Sequence, residues 1–137
     1  MAFTTGKSAQ FQLDNNAGAL QDLSTYVSSM SIPFAVDSHD TSTFGGTAHT
    51  FVPGLKNATI SVEGVLDVGG VISTHFTAAL GNASLSFQLG PLGTTAGYPK
   101  YTGECIITGF DNATSVDDKV TWSASLQVTG AVTVGTF

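Results

Sequence analysis

The sequence KVTWSASLQVTGAVTVGTF, residues 119–137, decides the fold class of this chain. Every even position from Val120 to Val134 is apolar or small, whereas most odd positions are Thr, Ser or Gln. A period of two is typical of a β-strand, because successive side chains point to opposite faces of a sheet. We therefore expect one face to pack on a core, and the other, from residue 121 onward, to be polar without charge.

This predicted strand is also unusually long. At about 3.3 Å per residue it would span about 50 Å, whereas most strands have about five or six residues. We expect it either to bend at Gly130 or to run past its own domain and contact another molecule.

The composition indicates one domain with a weakly charged surface. A chain of 137 residues suffices for a single domain around one core. Only 10% of the residues are charged, against about 25% in ordinary soluble proteins. Because a monomer normally stays soluble through interspersed charge, this surface favours self-assembly. The alternative is a secreted β-domain with a surface rich in Ser and Thr.

The charge balance excludes a nucleic-acid-binding module. Ten acids stand against four lysines and no arginine, which gives a net charge of −6. Affinity for DNA or RNA depends mainly on Lys and Arg at the phosphates. Such a protein can still surround DNA without binding it.

Targeting signals and disulfides are not expected. Residues 1–7 lack the basic and then apolar pattern of a signal peptide, and no run approaches the roughly 18 apolar residues of a membrane span. Cys105 is the single cysteine, and its neighbours Ile106 and Ile107 predict a buried, unreactive thiol. We expect synthesis and retention in a cytoplasm until assembly.

Alternation and turn residues predict six strands, one helix and long loops. The helix is expected over residues 71–80, ending at Gly81, and residues 19–24 are compatible with one helical turn. Pro33 places the second strand at an edge or bends it. This pattern predicts a mainly β fold, either a sandwich or a partly rolled barrel with the helix packed against it. The strands are expected over residues 7–14, 26–36, 57–67, 84–89, 101–110 and 119–137, with a turn-rich segment at 111–118.

Residues 37–52 predict a projecting loop within the single domain 1–137. The segment is polar, contains Gly45 and Gly46 and has no clear period. Loops of this length are usually functional or mobile. Phe44 and Phe51 stand among polar residues, and an exposed Phe in such a loop usually awaits a partner.

No catalytic or metal-binding signature stands out. His39 lies between Ser38 and Asp40, but neighbours in an extended loop point apart and do not form a triad. Asp37, His39, Asp40 and His49 could in principle hold a metal, yet their spacing matches no zinc or EF-hand pattern. We therefore expect a solvated polar loop, no cofactor and no enzyme.

Five segments follow one another along nearly the whole chain: KSAQFQLDN (7–15), DLSTYV (22–27), DTSTFG (40–45), GLKNATIS (54–61) and DDKVTWSASLQVTG (117–130). In order and spacing they resemble the tail tube (major tail) proteins of long-tailed bacteriophages. The resemblance implies hexameric rings whose inner strands join into one β-barrel, stacked into a tube that carries DNA. It places the protein in the virion tail after synthesis in the bacterial host cytoplasm.

The resemblance also implies partners, and the projecting loop and the polar strand faces then provide the candidate sites. The partners are other copies of the chain and the tape measure, tip and terminator proteins, while DNA passes without specific binding and no membrane is involved. Contacts between rings are expected from the loop residues Asp40, Thr41, Thr43, Phe44, Gly45, Gly46 and Phe51. The lumen is expected to be lined by the acids Glu63 and Glu104 and by the neutral residues Ser61, Ser123, Ser125 and Gln127. In the alternative, both glutamates face bulk water outside.

Two other functions stay open at this point. A monomeric immunoglobulin-like binding module is one, although the missing cysteine pair and signal peptide count against it. The other is the inner tube ring protein of a contractile injection or secretion system, which would look the same in sequence.

Overall fold

A computed structural model describes residues 5–137, so the first four residues of the segment considered for a signal peptide lie outside it. One α-helix, α1, spans Val71–Ala79, and short 3-10 helices span Gly6–Ser8 and Ser24–Tyr26. The strands are Gln10–Asp14 (β1), Leu20–Asp22 (β2), Val27–Ser31 (β3), Phe34–Asp40 (β4), Phe51–Val65 (β5), Leu85–Gly90 (β6), Pro99–Ser115 (β7) and Asp118–Thr136 (β8).

The strands form one antiparallel sheet in the order β2-β1-β6-β7-β8-β5-β3, and β4 also pairs with β5. The sheet is open rather than closed into a barrel. β3 and β4 follow one another along the same edge of β5, because Ser31 pairs with Ser61 and Phe34 with Ala58. Pro33 lies at the break between them, as its missing N–H predicts. The prediction of a mainly β fold with one helix is confirmed.

The core lies on one face of this sheet. In β8 the alternation predicted from sequence is confirmed, because Trp122, Leu126 and Val128 are buried while Ser123 and Ser125 are exposed. The corresponding positions of β1, β5, β6 and β7 face the same interior. The buried hydrophobic residues of these four strands are Phe11, Leu13, Ala58, Ile60, Val62, Leu85, Phe87, Leu89, Cys105 and Ile107.

Helix α1 covers part of this core. Its Phe76 ring stacks on Phe110 of β7 and lies 5.2 Å from the ring of Trp122. The helix begins after Gly70, and the Asp67 carboxylate accepts hydrogen bonds from the first two backbone N–H groups, Val71 at 3.0 Å and Ile72 at 3.4 Å. These bonds, the one from Val71 above all, lower the pKa of Asp67. The predicted helix is confirmed, but it ends at Ala79, one residue earlier than expected, because Leu80 is already extended; Gly81 follows with φ 88°.

The single thiol is part of the same core. Cys105 is fully buried, and burial raises its pKa to about 12. The thiol is therefore protonated at neutral pH. The prediction of a buried cysteine is confirmed, and its low reactivity stays a prediction.

The predicted loop over residues 37–52 is shorter than expected. β4 continues to Asp40 and β5 begins at Phe51, so the connection covers only residues 41–50. All residues of β4 are exposed, whichever face of the strand their side chains point to. Residues 34–36 of β4 belong to the strand predicted over residues 26–36, whereas the continuation of β4 to Asp40 has no buried face and therefore no hydrophobic alternation to detect.

Three other boundaries also differ from the prediction. Residues 20–22 form a strand against β1 instead of a helical turn, and the first strand begins at Gln10 because Lys7 lies in a 3-10 helix. β7 continues to Ser115, so Asp111 and Asn112 pair with β8 and the turn is confined to Val116 and Asp117. Pairing with a long neighbour holds these polar residues in a strand that their composition alone does not predict.

β8 is one strand of 19 residues with an irregularity at Gly130. Gly130 has φ 81°, a conformation that favours glycine. Thr129 pairs with Glu104 and Thr133 with Thr102, so residues 130–132 bulge opposite a single residue of β7. The predicted departure from a straight strand at Gly130 is confirmed. Beyond it the alternation is lost, and Val134, which was expected on the apolar face, is 66% exposed.

Candidate functional site: the polar sheet face and the hairpin loop

The face of the sheet opposite the core is a continuous polar surface. On it Ser61 of β5 pairs with Ser125 of β8, and Glu63 pairs with Ser123. All four side chains are exposed. Four of the six residues predicted for the lumen therefore lie together in two adjacent rows, because strand pairing places them side by side.

The same rows contain residues outside the set predicted for the lumen. Asp111 of β7 pairs with Ser123 on the side away from Glu63. Ser29 and Ser31 of β3 extend the rows on the other side, opposite Glu63 and Ser61. Asp111 belongs to the segment 111–118 that is predicted to be turn-rich. A period of two set by the buried Cys105 and Ile107 would direct Asp111 inward, but the register shift between Ile107 and Gly109 turns Phe110 inward and Asp111 outward. No local sequence pattern signals this shift.

This part of the face is acidic. Glu63 of β5 and Asp111 of β7 lie on the two strands that flank β8, and both line a shallow cavity of about 390 Å³. Lys119 lines the same cavity at the end of the hairpin, and its Nζ lies 3.8 Å from Asp118. All of these groups are exposed, so solvent screens their attraction.

Glu104 lies on the same face but apart from Glu63. It pairs with Ser86 of β6 and Thr129 of β8, and Thr129 is six positions along β8 from the residue opposite Glu63. Its carboxylate accepts hydrogen bonds from the hydroxyls of Ser84 at 2.6 Å and Ser86 at 2.7 Å. These two bonds lower the pKa of Glu104. The predicted acids are thus two separate charges on one face.

Gln127 lies on this face too, but its amide is used inside the subunit. Its Nε2 donates to the side chain oxygen of Asn57 at 2.7 Å and to the carbonyl oxygen of Ala58 at 3.0 Å. The side chain is half-buried. Gln127 therefore joins β8 to β5 and offers less to a lumen than the neighbouring serines.

The loop between β4 and β5 has an ordered base. The backbone N–H of Thr41 donates to the carbonyl oxygen of Thr50 at 2.8 Å. The Asp40 carboxylate accepts from the N–H of Ser42 at 2.8 Å, and Ser42 Oγ accepts from the N–H of Thr50 at 3.0 Å. Hydrogen bonds from Ser42 lower the pKa of Asp40. His49 Nδ1 lies 3.8 Å from the same carboxylate.

The tip of this loop exposes apolar surface. The Phe44 side chain is 108% exposed, and Gly45 follows it with φ 89°. Phe51, the first residue of β5, is 60% exposed. Of the residues predicted for ring contacts, Thr41 to Gly46 thus lie in the loop itself, whereas Asp40 and Phe51 end the strands that carry it. Phe44 is thus an exposed aromatic side chain carried on a short ordered base.

Other side chain chemistry is sparse. Within residues 5–137, no three His, Cys, Asp or Glu side chains come close enough to hold a metal ion. His75 of α1 is buried, and desolvation lowers its pKa. Across the same residues, no helix is both long and apolar enough to cross a membrane.

Comparison with solved structures identifies the fold. In a gene transfer agent virion, one chain superposes with a TM-score of 0.78 at 18% identity, covering 97% of this chain and 99% of that chain. The SPP1 tail tube gives 0.78 at 15% identity, covering 98% and 80%. The sheath-tube complex of an extracellular contractile injection system, PVC, gives 0.70 at 9% identity, covering 96% and 90%. At these identities the likeness shows the fold alone.

Sequence comparison is more specific. No curated protein matches the chain. The family model described as phage tail tube protein matches residues 27–134. Since this match spans more than three quarters of the 137 residues, the chain belongs to the phage tail tube protein family and is a structural protein of the virion tail.

Proposed function

We propose that this chain is the subunit of stacked six-membered rings, and that its polar sheet face lines the channel through which DNA leaves the virion. The observation that carries the proposal is the two-sided sheet: one face packs on a continuous core, while the other presents a row of serines and acids. The role is structural and requires no catalytic step.

The chemistry of the polar face suits a channel for DNA. Ser61, Ser123 and Ser125 are neutral, and Glu63 and Asp111 carry the same sign of charge as phosphate. DNA affinity comes mainly from neutralised phosphates, so a neutral to acidic wall lets DNA slide without adhering. Specific DNA binding is not part of this function.

The open sheet provides the means of ring formation. It ends on β2 at one side and on β3 and β4 at the other, and an unpaired strand edge readily accepts a further strand. When one edge of a subunit joins the opposite edge of the next, the contact is heterologous and closes into a ring at a fixed number of copies. The tail of an empty gene transfer agent particle, which has a related fold, has C6 symmetry.

The loop over residues 41–50 is assigned to contacts between rings. Its ordered base projects Phe44 into solvent, where a neighbouring ring would bury it. Burial of an aromatic anchor at the centre of a contact usually contributes a large share of its affinity. The tape measure, tip and terminator proteins remain the expected partners at the ends of such a tube.

A second candidate is the inner tube of a contractile injection system. The PVC sheath-tube complex and the baseplate of the anti-feeding prophage contain chains of the same fold. The subunit geometry serves both candidates equally. The immunoglobulin-like alternative loses its support, because the family match covers most of the chain.

Light scattering and negative-stain microscopy of the purified chain test the proposed function. We expect rings with six-fold symmetry or tubes at raised protein concentration. A sharp monomer of 14.0 kDa at every concentration and salt level would contradict it.

A further inference from the structure

β5 and β8 are paired at one end and diverge at the other, and they form a fork whose two arms are the parts of these strands that do not pair with each other. They pair from Val65 and Thr121 only as far as Thr59 and Gln127. Beyond that point β5 pairs with β4, and β8 pairs with β7. Within residues 5–137, the facing edges of the two arms have no strand between them. Backbone groups at such edges are available to another chain.

The space between the arms is an apolar groove of about 410 Å³. Three of its apolar side chains are half or more exposed: Phe34 by 54%, Val36 by 50% and Val134 by 66%. The lining includes Lys56 and no carboxylate. Among the described residues Lys56 has no acidic partner within 4 Å. The groove therefore suits an apolar side chain accompanied by negative charge.

A segment with that character lies at the opposite end of the same strands. The turn between β7 and β8 consists of Val116 and Asp117, followed by Asp118. Val116 is 102% exposed, and both aspartates are exposed. From Asp118 to Val134 β8 covers 16 steps, about 50 Å at the usual rise of a strand. The hairpin turn of one copy therefore cannot reach its own groove.

We propose that the groove between β5 and β8 receives the β7–β8 hairpin turn of a second copy of this chain. Val116 enters the apolar space, and Asp117 lies against Lys56. Complementary charges select and orient the partner. Because opposite ends of two copies meet, the contact is heterologous and extends from one copy to the next. The inference rests on the proposed self-assembly and identifies one of its contacts.

The loop over residues 41–50 is the nearest competitor as occupant. It also carries an exposed apolar residue, Phe44, but between Thr41 and Thr50 it contains no acid that could pair with Lys56. It also projects from the same end as the groove, since β4 and β5 form both the loop and one arm of the fork. Charge and position favour the hairpin turn.

A charge swap tests the pair. Lys56→Asp and Asp117→Lys should each raise the protein concentration needed for assembly by about tenfold, because each places like charges together. The combination of both should restore assembly to within about twofold of the unchanged chain, since it reverses the pair. Restoration requires a direct contact and cannot arise from misfolding of a single variant. Additive losses in the double variant would overturn the proposal.

Cross-linking identifies the occupant. Subunits with Val36→Cys are mixed with subunits with Val116→Cys, Phe44→Cys, Phe3→Cys or, as an exposed control, Val68→Cys, and the assemblies are oxidised. Disulfides require Cα atoms within about 7 Å. We expect dimers only with Val116→Cys, and none when Leu55→Cys, an exposed position outside the groove, replaces Val36→Cys.

The outcomes separate this inference from the proposed function. Cross-links from Phe44→Cys or Phe3→Cys instead would assign the groove to the loop or to the N-terminal segment and overturn the inference. Normal tubes without any cross-link at Val36→Cys would also overturn it and leave the tube function standing. Failure of the unchanged chain to assemble would contradict both.

Discussion

Gln127 donates a hydrogen bond of 3.0 Å from Nε2 to the carbonyl oxygen of Ala58, at the point where β5 and β8 separate. The same nitrogen also donates to Asn57 at 2.7 Å. Thr59 and Gln127 form the last pair of the ladder, so the next carbonyl of β5 has no strand partner on that side. The side chain amide donates in place of a backbone N–H and joins β8 to β5 at the base of the fork.

Removing that amide should destabilise the subunit. Gln127→Ala leaves the Ala58 carbonyl without its donor, and we expect a loss of about 1 to 2 kcal/mol in the free energy of unfolding. Urea unfolding of the dissociated subunit, followed through the single, buried Trp122, measures it. Ser125→Ala, an exposed neighbour on the same strand, serves as control and should change the value by less than about 0.5 kcal/mol. Equal effects of the two changes would refute the structural role of Gln127.

The loop tip should matter for stacking and not for folding. Phe44 is fully exposed, so Phe44→Ser should leave the unfolding midpoint unchanged while shortening or abolishing tubes. Val68→Ser removes an equally exposed apolar side chain outside the loop and provides the control. Electron microscopy of both variants measures tube length. Tubes of normal length from Phe44→Ser would show that the loop does not join rings.

A reversed charge on the polar face should make the tube bind DNA. In a ring of six, Glu63→Lys changes the local charge by about twelve units and replaces repulsion of phosphate by attraction. Tubes of this variant should retain fluorescent DNA at low salt and release it as salt rises. Glu63→Gln, which removes charge without reversing it, should retain little. Glu104→Lys tests the second acid in the same way, and absence of DNA binding by both lysine variants would place these residues outside the channel.

The two serines beside Glu104 should control its titration. Hydrogen bonds from Ser84 and Ser86 hold the pKa of Glu104 below its ordinary value of 4.5. Since the folded pKa is the lower one, ionised Glu104 stabilises the fold above the unfolded pKa, and this contribution is lost as pH falls through the folded pKa. The double change Ser84→Ala and Ser86→Ala should raise the Glu104 pKa in a carboxyl NMR titration. An unchanged midpoint would mean that the two bonds do not persist in solution.

The Cys105 thiol should be inert in the folded protein. With a pKa raised to about 12, almost none of it is thiolate at pH 8. A thiol reagent should therefore modify it only after unfolding, at a rate that follows the opening of the core. Rapid modification of the native subunit would show that β7 is less firmly packed than its full burial indicates.

The elements that could be predicted from the sequence are those with one buried face and one face exposed to water. β8, β5 and β6 alternate because Trp122, Ile60 and Phe87 are buried while their neighbours meet water. Helix α1 was predictable from its spacing and from Gly81. Residues 37–40 of β4 lacked any such signal, since both faces of this strand are exposed in the subunit. If assembly covers one of these faces, its pattern is set by another copy of the chain.

For the polar sheet face, the sequence predicts which residues of each strand share a face but not which residues of different strands lie together. The period of two within β5 and within β8 suffices to place Ser61, Glu63, Ser123 and Ser125 on the polar faces of these strands. Their grouping with Asp111 depends on which strands are neighbours, and this is a long-range property of the sheet. The use of the Gln127 amide inside the subunit depends on the fork, which no local pattern encodes.

Cryo-electron microscopy of tubes assembled from the purified chain tests the central claim most directly. The account predicts six subunits per ring, with the side chains of Ser61, Glu63 and Ser125 directed into the central channel. A tube in which this face lies on the outer surface, with another face around the channel, would contradict it.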